Sequence, residues 1–469
     1  MRSFTRMALL AALVLVLSGV AVSAAEGAFG VKSFFASVCK AAKCSGETEK
    51  LEEALGEAFL QAAGHPNYGV TDIKFNTVQI QEKPFPAFAP SGNVKTIKTA
   101  LPEGLVVNPQ AVTQCAAKEL EEAKLKEGAP PEPEKLGACL VGENQLTVLF
   151  EVAPGVFANP TVKTPVFNIV PREGEPARVG FQVLLPKGFA TSYINGGVAW
   201  SKDFHGTFAI EGISPEVPII ETRLIYFGNA GSGFLTVPSI CNVNQTTLLE
   251  VEDQEGHTVG THYETPIGAQ NCAAVPFAPT IEVKPGTTKL DEPNPATVEL
   301  GVPQGEKGEE IDSSTLKEAR IAFPPGLTLD PSVATVATQA CTDEQIGIGT
   351  TNPVACPAPS QIGTVAIEVP TLPPESLKGA VYLGRPREGE ARAGRYRMFL
   401  DAESARYGVS VRLEGTVVAD PLTGQLTATF AKNPQAPFKA MILKLGSGAA
   451  IPLANPLACG PAGTATSIA

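Results

Sequence analysis

The chain has 469 residues and a net charge of −12, from 36 basic and 48 acidic side chains. That balance, with no basic stripe interleaved by aromatics, argues against nucleic acid as a partner. Hydrophobic residues make up 43%, enough for real cores, and 45 glycines with 41 prolines punctuate short apolar runs in the manner of an all-β protein.

The N-terminus has the order of a secretory leader. Arg2 and Arg6 precede an apolar run over residues 8–17, and Val22-Ser23-Ala24 or Ser23-Ala24-Ala25 offers a processing site. Residues 1–24 are therefore read as a signal peptide. The competing reading is a membrane anchor, for which the run is short. No run beyond residue 30 is long and apolar enough for a membrane-spanning helix. The mature chain is expected to be secreted or extracellular, in the medium or associated with the cell surface.

Residues 25–67 are read as an N-terminal helical segment. Leu51, Leu55, Phe59 and Leu60 lie near helical spacing over 47–63, and Cys39 and Cys44 staple the loop before it. Beyond this the chain repeats itself. Leu101-Pro102-Glu103-Gly104-Leu105 with Asn108-Pro109 recurs as Phe323-Pro324-Pro325-Gly326-Leu327 with Asp330-Pro331. Thr113-Gln114-Cys115 recurs as Thr338-Gln339-Ala340-Cys341, and residues 139–152 align with 356–369 without a gap. The turn Pro171-Arg172-Glu173-Gly174-Glu175 recurs as Pro386-Arg387-Glu388-Gly389-Glu390, and 231–241 matches 446–459. The reading is duplication: one module over 68–277, a hinge and first strand over 278–303, and a second module over 304–469.

Both copies show short alternating runs bounded by turn residues. Candidate strands are 147–152, 177–185 and 191–200 in the first, and 365–369, 395–400 and 409–418 in the second. The segment 116–127, rich in Ala, Glu, Lys and Leu, predicts a short helix. Asp420-Pro421-Leu422-Thr423-Gly424 between alternating runs predicts a hairpin. The expected fold class is all-β, as tandem disulfide-clamped, Ig-like β-sandwich modules, with a barrel or prism of short strands as the alternative.

Nine cysteines in an exported chain are read first as disulfides. Repeat positions pair Cys115 with Cys139 and Cys341 with Cys356; Cys241–Cys272 and Cys39–Cys44 complete the set. Cys459, the counterpart of Cys241, is left unpaired. It is open to an intermolecular bond, to a free thiol, or to a partner further along a longer architecture, since 460–469 matches the strand that begins at Asn242.

No catalytic, cofactor-binding or metal-binding signature emerges. Nucleophile-elbow and HExxH patterns are absent, the Gly231-Ser232-Gly233 and Gly446-Ser447-Gly448 triplets read as tight turns, and His257 and His262 read as surface residues. Trp200 reads as a core residue. Candidate binding loops are the two PREGE turns, through Arg172, Glu173, Arg387 and Glu388.

The segments Gly64-His65-Pro66, 101–109, 171–178, 377–384 and 420–430 together resemble a family of large exported repeat proteins of high-GC Gram-positive bacteria. The resemblance implies export and a multi-module β architecture, and it carries no catalytic residues. The expected function is that of a non-enzymatic structural or adhesive protein outside the cell, with the cell envelope or an extracellular glycan or protein as partner. A glycan-binding module and a hydrolase with a non-local carboxylate pair are the competing expectations.

Overall fold

The computed structural model describes residues 28–45, 56–123, 136–185, 188–198, 203–304, 311–390, 394–448, 450–460 and 463–469. Residues 1–24, read above as a leader, and Trp200 lie outside these residues. Two large antiparallel sheets account for most of them.

The first sheet has eleven strands. In spatial order they are Val31–Cys39, Tyr68–Phe75, Ile219–Phe227, Leu140–Val148, Thr161–Asn168, Arg178–Leu185, Gly188–Val198, Gly206–Ile210, Val94–Ala100, Thr246–Asp253 and Thr258–Glu264. The second has ten: Thr280–Pro285, Ala296–Gly301, Ala440–Leu445, Gln361–Glu368, Leu377–Gly384, Arg395–Ser404, Val409–Ala419, Leu426–Ala431, Glu318–Ala322 and Ala465–Ile468. Position by position, the first ten strands of one sheet follow the same chain order as those of the other. The small pairs repeat too: Val106–Val107 joins Leu235–Thr236, and Thr328–Leu329 joins Leu453–Ala454.

Each half is one continuous, barrel-like sheet rather than two stacked sheets of an Ig-like sandwich. In the first, the end strands approach each other, with Phe35 edge-on to Tyr263 at 5.1 Å between ring centroids. A sheet rolled on itself gives every strand an inner face, and the sequences alternate accordingly. Val298, Val365, Val381, Leu400, Val417 and Phe430 fill one core; Ile73, Val141, Val166, Val179, Ile194 and Val251 fill the other.

Several local expectations shift. The stretch read as a helical segment supplies strand Val31–Cys39, which pairs antiparallel with Tyr68–Phe75 across one bulge between Val31 and Ser33. Residues 46–55 fall outside the described set. Gly56 and Glu57 are helical, but Ala58 already bridges to Cys39, so Phe59 and Leu60 do not share a helix face. The polar 278–303 stretch, read as a hinge and first strand, holds two paired strands at the edge of the second sheet.

The ungapped match of 139–152 to 356–369 slips by four residues. Gly142 lies opposite Tyr226 and Val166, and its counterpart in register is Gly363, opposite Leu445 and Val381. Both copies enter this strand through a 3-10 turn, Gly137–Cys139 in one and Ala358–Ser360 in the other. The second copy simply places its cysteine before that turn. At these glycines a Cβ would come within 2.3 Å of the Ile225 carbonyl and 2.5 Å of the Lys444 carbonyl. Gly142→Ala and Gly363→Ala should each destabilise the protein by about 1–3 kcal/mol, read as a lowered midpoint in denaturant unfolding; midpoints unchanged would show that these strands tolerate wider spacing.

Candidate functional site at the junction of the two sheets

The cysteines are joined as Cys39–Cys44, Cys115–Cys139, Cys241–Cys272 and Cys341–Cys356, and Cys459 is exposed and free. The Cys241–Cys272 bridge encloses two strands of the first sheet, whereas the described parts of the other disulfide-closed loops lie against a sheet, where their backbone carbonyls need donors. Polar side chains rising from the strands supply them. Arg223 donates to the Ala42 and Cys44 carbonyls at 2.9 and 2.6 Å while pairing with Asp72 at 2.7 Å. Gln182 donates to the Leu120 carbonyl at 2.6 Å, holding helix Ala117–Glu122, whose Glu119 carboxylate accepts from the Ala116 amide.

The second sheet uses two arginines. Arg412, 6% exposed, donates to the Gly347 and Asn352 carbonyls at 3.2 and 2.8 Å. It also pairs with Asp401 at 3.2 Å and Glu403 at 2.8 Å. Arg397 reaches Glu414 at 2.7 Å, Asp343, and the Arg385 carbonyl at 2.9 Å. Burial pushes the Asp401 carboxyl up to about 6, the Glu403 charge adds to it, and Arg412 opposes both.

The PREGE turns are built alike. The Glu175 carboxylate accepts from the Arg172 amide at 3.0 Å, and that of Glu390 from the Arg387 amide at 2.7 Å. Gly174 and Gly389 sit at φ +84° and +83°, a left-handed conformation that glycine adopts without a Cβ penalty. Their surroundings differ. The turn with Arg172 and Glu173 meets the other sheet: Arg406 donates to the Arg172 and Pro171 carbonyls at 2.6 and 2.8 Å, and the Gly174 amide donates to the Arg406 carbonyl at 3.0 Å. The turn with Arg387 and Glu388 stays on its own sheet, with Arg387 3.1 Å from Glu414. The first candidate binding loop is thus part of the contact between sheets.

A second contact surrounds Asp312. Its amide donates to the Ala63 carbonyl at 2.9 Å, and its carboxylate accepts from Thr236 at 3.1 Å and lies 3.7 Å from buried His65. The other His65 nitrogen lies 2.9 Å from the Leu235 carbonyl. Burial pulls the His65 pKa down, but Asp312 and the Leu235 carbonyl outweigh it, so it rises above the usual value.

Between these contacts lies an apolar cavity of about 200 Å³. Ile367, Leu413, Phe430 and Met441 of the second sheet line one side, and Leu101, Leu105 and Phe208 line the other. A second cavity, of about 110 Å³, lies inside the first sheet and shares Leu101, Leu105 and Phe208 as wall.

Asp253, Glu255 and His257 bring ligand atoms within 4.8 Å of one another. Asp253 is already engaged, accepting from the Glu255 and His257 amides and lying 2.9 Å from the His257 ring, so this is a locked hairpin turn. The anchoring residues Arg397, Asp401, Arg406, Arg412 and Asp312 escape motif-based reading. Their only sequence signal is a charge at an odd place, such as Arg412 within an alternating apolar run. Neither the protein-family models nor the curated proteins include a match to this chain.

Arg412→Met should strand Asp401 and the loop carbonyls, costing about 3–5 kcal/mol in equilibrium unfolding. Because the Asp401 pKa is raised on folding, its contribution is full below the unfolded value of 3.8 and fades as pH rises through about 6. Asp401→Asn should flatten that segment of the stability profile. For His65, also raised, the contribution is full below its ordinary value of 6.5 and is lost as pH climbs past the folded value. Asp312→Asn should therefore narrow the gap between stability in mildly acid and mildly alkaline buffer; an unchanged gap would show that His65 does not sense Asp312.

Proposed function

We propose that this is an exported, non-enzymatic structural protein of the extracellular space or cell surface, made of one β module used twice and held as a single stiff unit. The repeated strand order carries this reading. Ten strands recur in the same spatial and chain order, with the same PREGE turn hydrogen bonds in each copy. Four disulfides fit an oxidising compartment, and among the described residues no helix is long and apolar enough to cross a membrane. Charged side chains such as Arg223, Arg397 and Arg412 anchor loops, and the modules are clamped through Arg406 and Asp312, which suits a load-bearing or spacing role. The leader over 1–24 supplies the route out of the cell.

Cell fractionation with thiol trapping tests this. The protein is expected in medium or envelope, lacking its leader, with eight cysteines oxidised. Recovery from the cytosol with reduced cysteines overturns export. Turnover in a broad hydrolase screen, abolished by a single carboxylate substitution, overturns the non-enzymatic reading. In small-angle scattering the wild type should behave as one rigid particle, and Arg406→Ala with Asp312→Ala should broaden its distance distribution.

A further inference from the structure

We propose that the cavity between the two sheets binds a single linear alkyl chain carrying an uncharged polar head, a function beyond the structural role above. The lining holds no Asp, Glu, Lys or Arg, and its polar side chains are Thr371, His205, Asn433 and Gln435. Apolar walls with a few polar groups are the ordinary composition of a small-molecule pocket. Dry cavities of about 150 Å³ already accept apolar guests, and this one, at about 200 Å³, is larger.

The strand Val409–Ala419 shows the same vacancy from the side-chain level. Ser410 and Arg412 are buried on one face, whereas Val409, Val411 and Leu413 on the other stay half-buried although they pack toward the core. All three line the cavity, so their residual exposure faces it. The presence of a second cavity against the same wall favours a chain over a compact ring. The second cavity continues on the far side of Leu101, Leu105 and Phe208, so displacing one layer of side chains would extend the site along one direction. The lining holds no Asp, Glu, Lys or Arg, and its one imidazole, His205, is already paired with Asp203 at 2.8 Å, so little there offsets the desolvation of an ionised head.

Calorimetric titration of the full-length, oxidised protein with hexanol, octanol, decanol and dodecanol tests the proposal. Affinity is expected to rise about fourfold per added methylene and then level off when the chain outgrows the space, with a negative heat-capacity change. Val411→Phe takes up part of the cavity and should weaken decanol by at least about tenfold, the contact of roughly two methylenes. Val409→Phe, from the same wall, serves if that variant does not fold. Leu422→Ser, at a side chain 93% exposed on a hairpin tip, should leave binding unchanged. Absence of binding with all four alcohols overturns the site. Decanol binding that survives both cavity-filling variants and disappears in Leu422→Ser places the chain on the outer surface and overturns it as well. Decanoate or decylammonium binding as tightly as decanol refutes the neutral head, and benzene binding without any alkanol binding refutes the linear chain.

Discussion

A carbonyl in an irregular loop laid against a sheet has neither a ladder partner nor water, and the rest of this structure depends on meeting that demand. A rolled sheet buries its polar backbone in regular pairing, but its connecting loops are held flat by disulfides and cannot swing into solvent. The solution is a set of long donors rising out of the strands: Arg223 under the Cys39–Cys44 loop, Gln182 under the helix after Cys115, Arg412 under the loop closed by Cys341 and Cys356. The guanidinium suits the task because it has five donors in a rigid fork and can satisfy carbonyls and a carboxylate at once. Disulfide and arginine are complementary. The bridge limits where the loop can go, and the arginine makes the place it goes tolerable.

The same device joins the two halves. Arg406 offers its guanidinium to the carbonyls of the Arg172 turn, just as Arg412 does within the second sheet. Close approach is possible because Gly408 lacks a side chain; a Cβ there would lie 2.2 Å from the Gly174 carbonyl oxygen. With polar clamps at two places and an apolar, incompletely filled space between them, the junction is specific in orientation but loosely packed at its centre. Orientation here comes from hydrogen-bond geometry, and the cavity is the consequence of two curved surfaces meeting where neither sequence supplies bulk.

The all-β class, the helix after Cys115 and the hairpin at 420–424 were legible because each rests on local chemistry. Alternation marks an inner face, and Asp420 folds its own turn by accepting from the Leu422 and Thr423 amides. The bridges Cys115–Cys139 and Cys341–Cys356 were legible because the positions recur. Rolled sheet against stacked sheets was not legible, since both present the same alternation and differ only in which strands meet across the ends. Strand Val31–Cys39 was missed because the more strongly periodic run beside it drew the reading toward helix. The anchoring arginines carry no motif; what defines them is a loop distant in sequence, and only the register of the strands brings the two together.

The differences between the two halves follow from the same demand for partners. By register Arg178 and Arg397 are counterparts, both buried at 3% exposure, and Tyr193 corresponds to Glu414. In the first copy the guanidinium stacks on the Tyr193 ring at 3.7 Å, and the Tyr193 hydroxyl donates to Glu121 on the loop helix at 2.8 Å. In the second it pairs with Glu414 and reaches Asp343 on the loop helix directly. One copy ties its helix down through an aromatic relay and the other through an ion pair, with the arginine constant. Asn168 and Leu383 form a second exchange. Asn168 is needed because the segment before Cys115 is irregular, and its side chain donates to the Pro109 and Val112 carbonyls. In the second copy that segment is helix Ser332–Ala337, which meets carbonyl demands with its own amides, and the buried position passes to an apolar leucine. Residues therefore differ in sets defined by who satisfies whom, which is why the two halves have one strand order while sharing few residues outside their turns and cysteines.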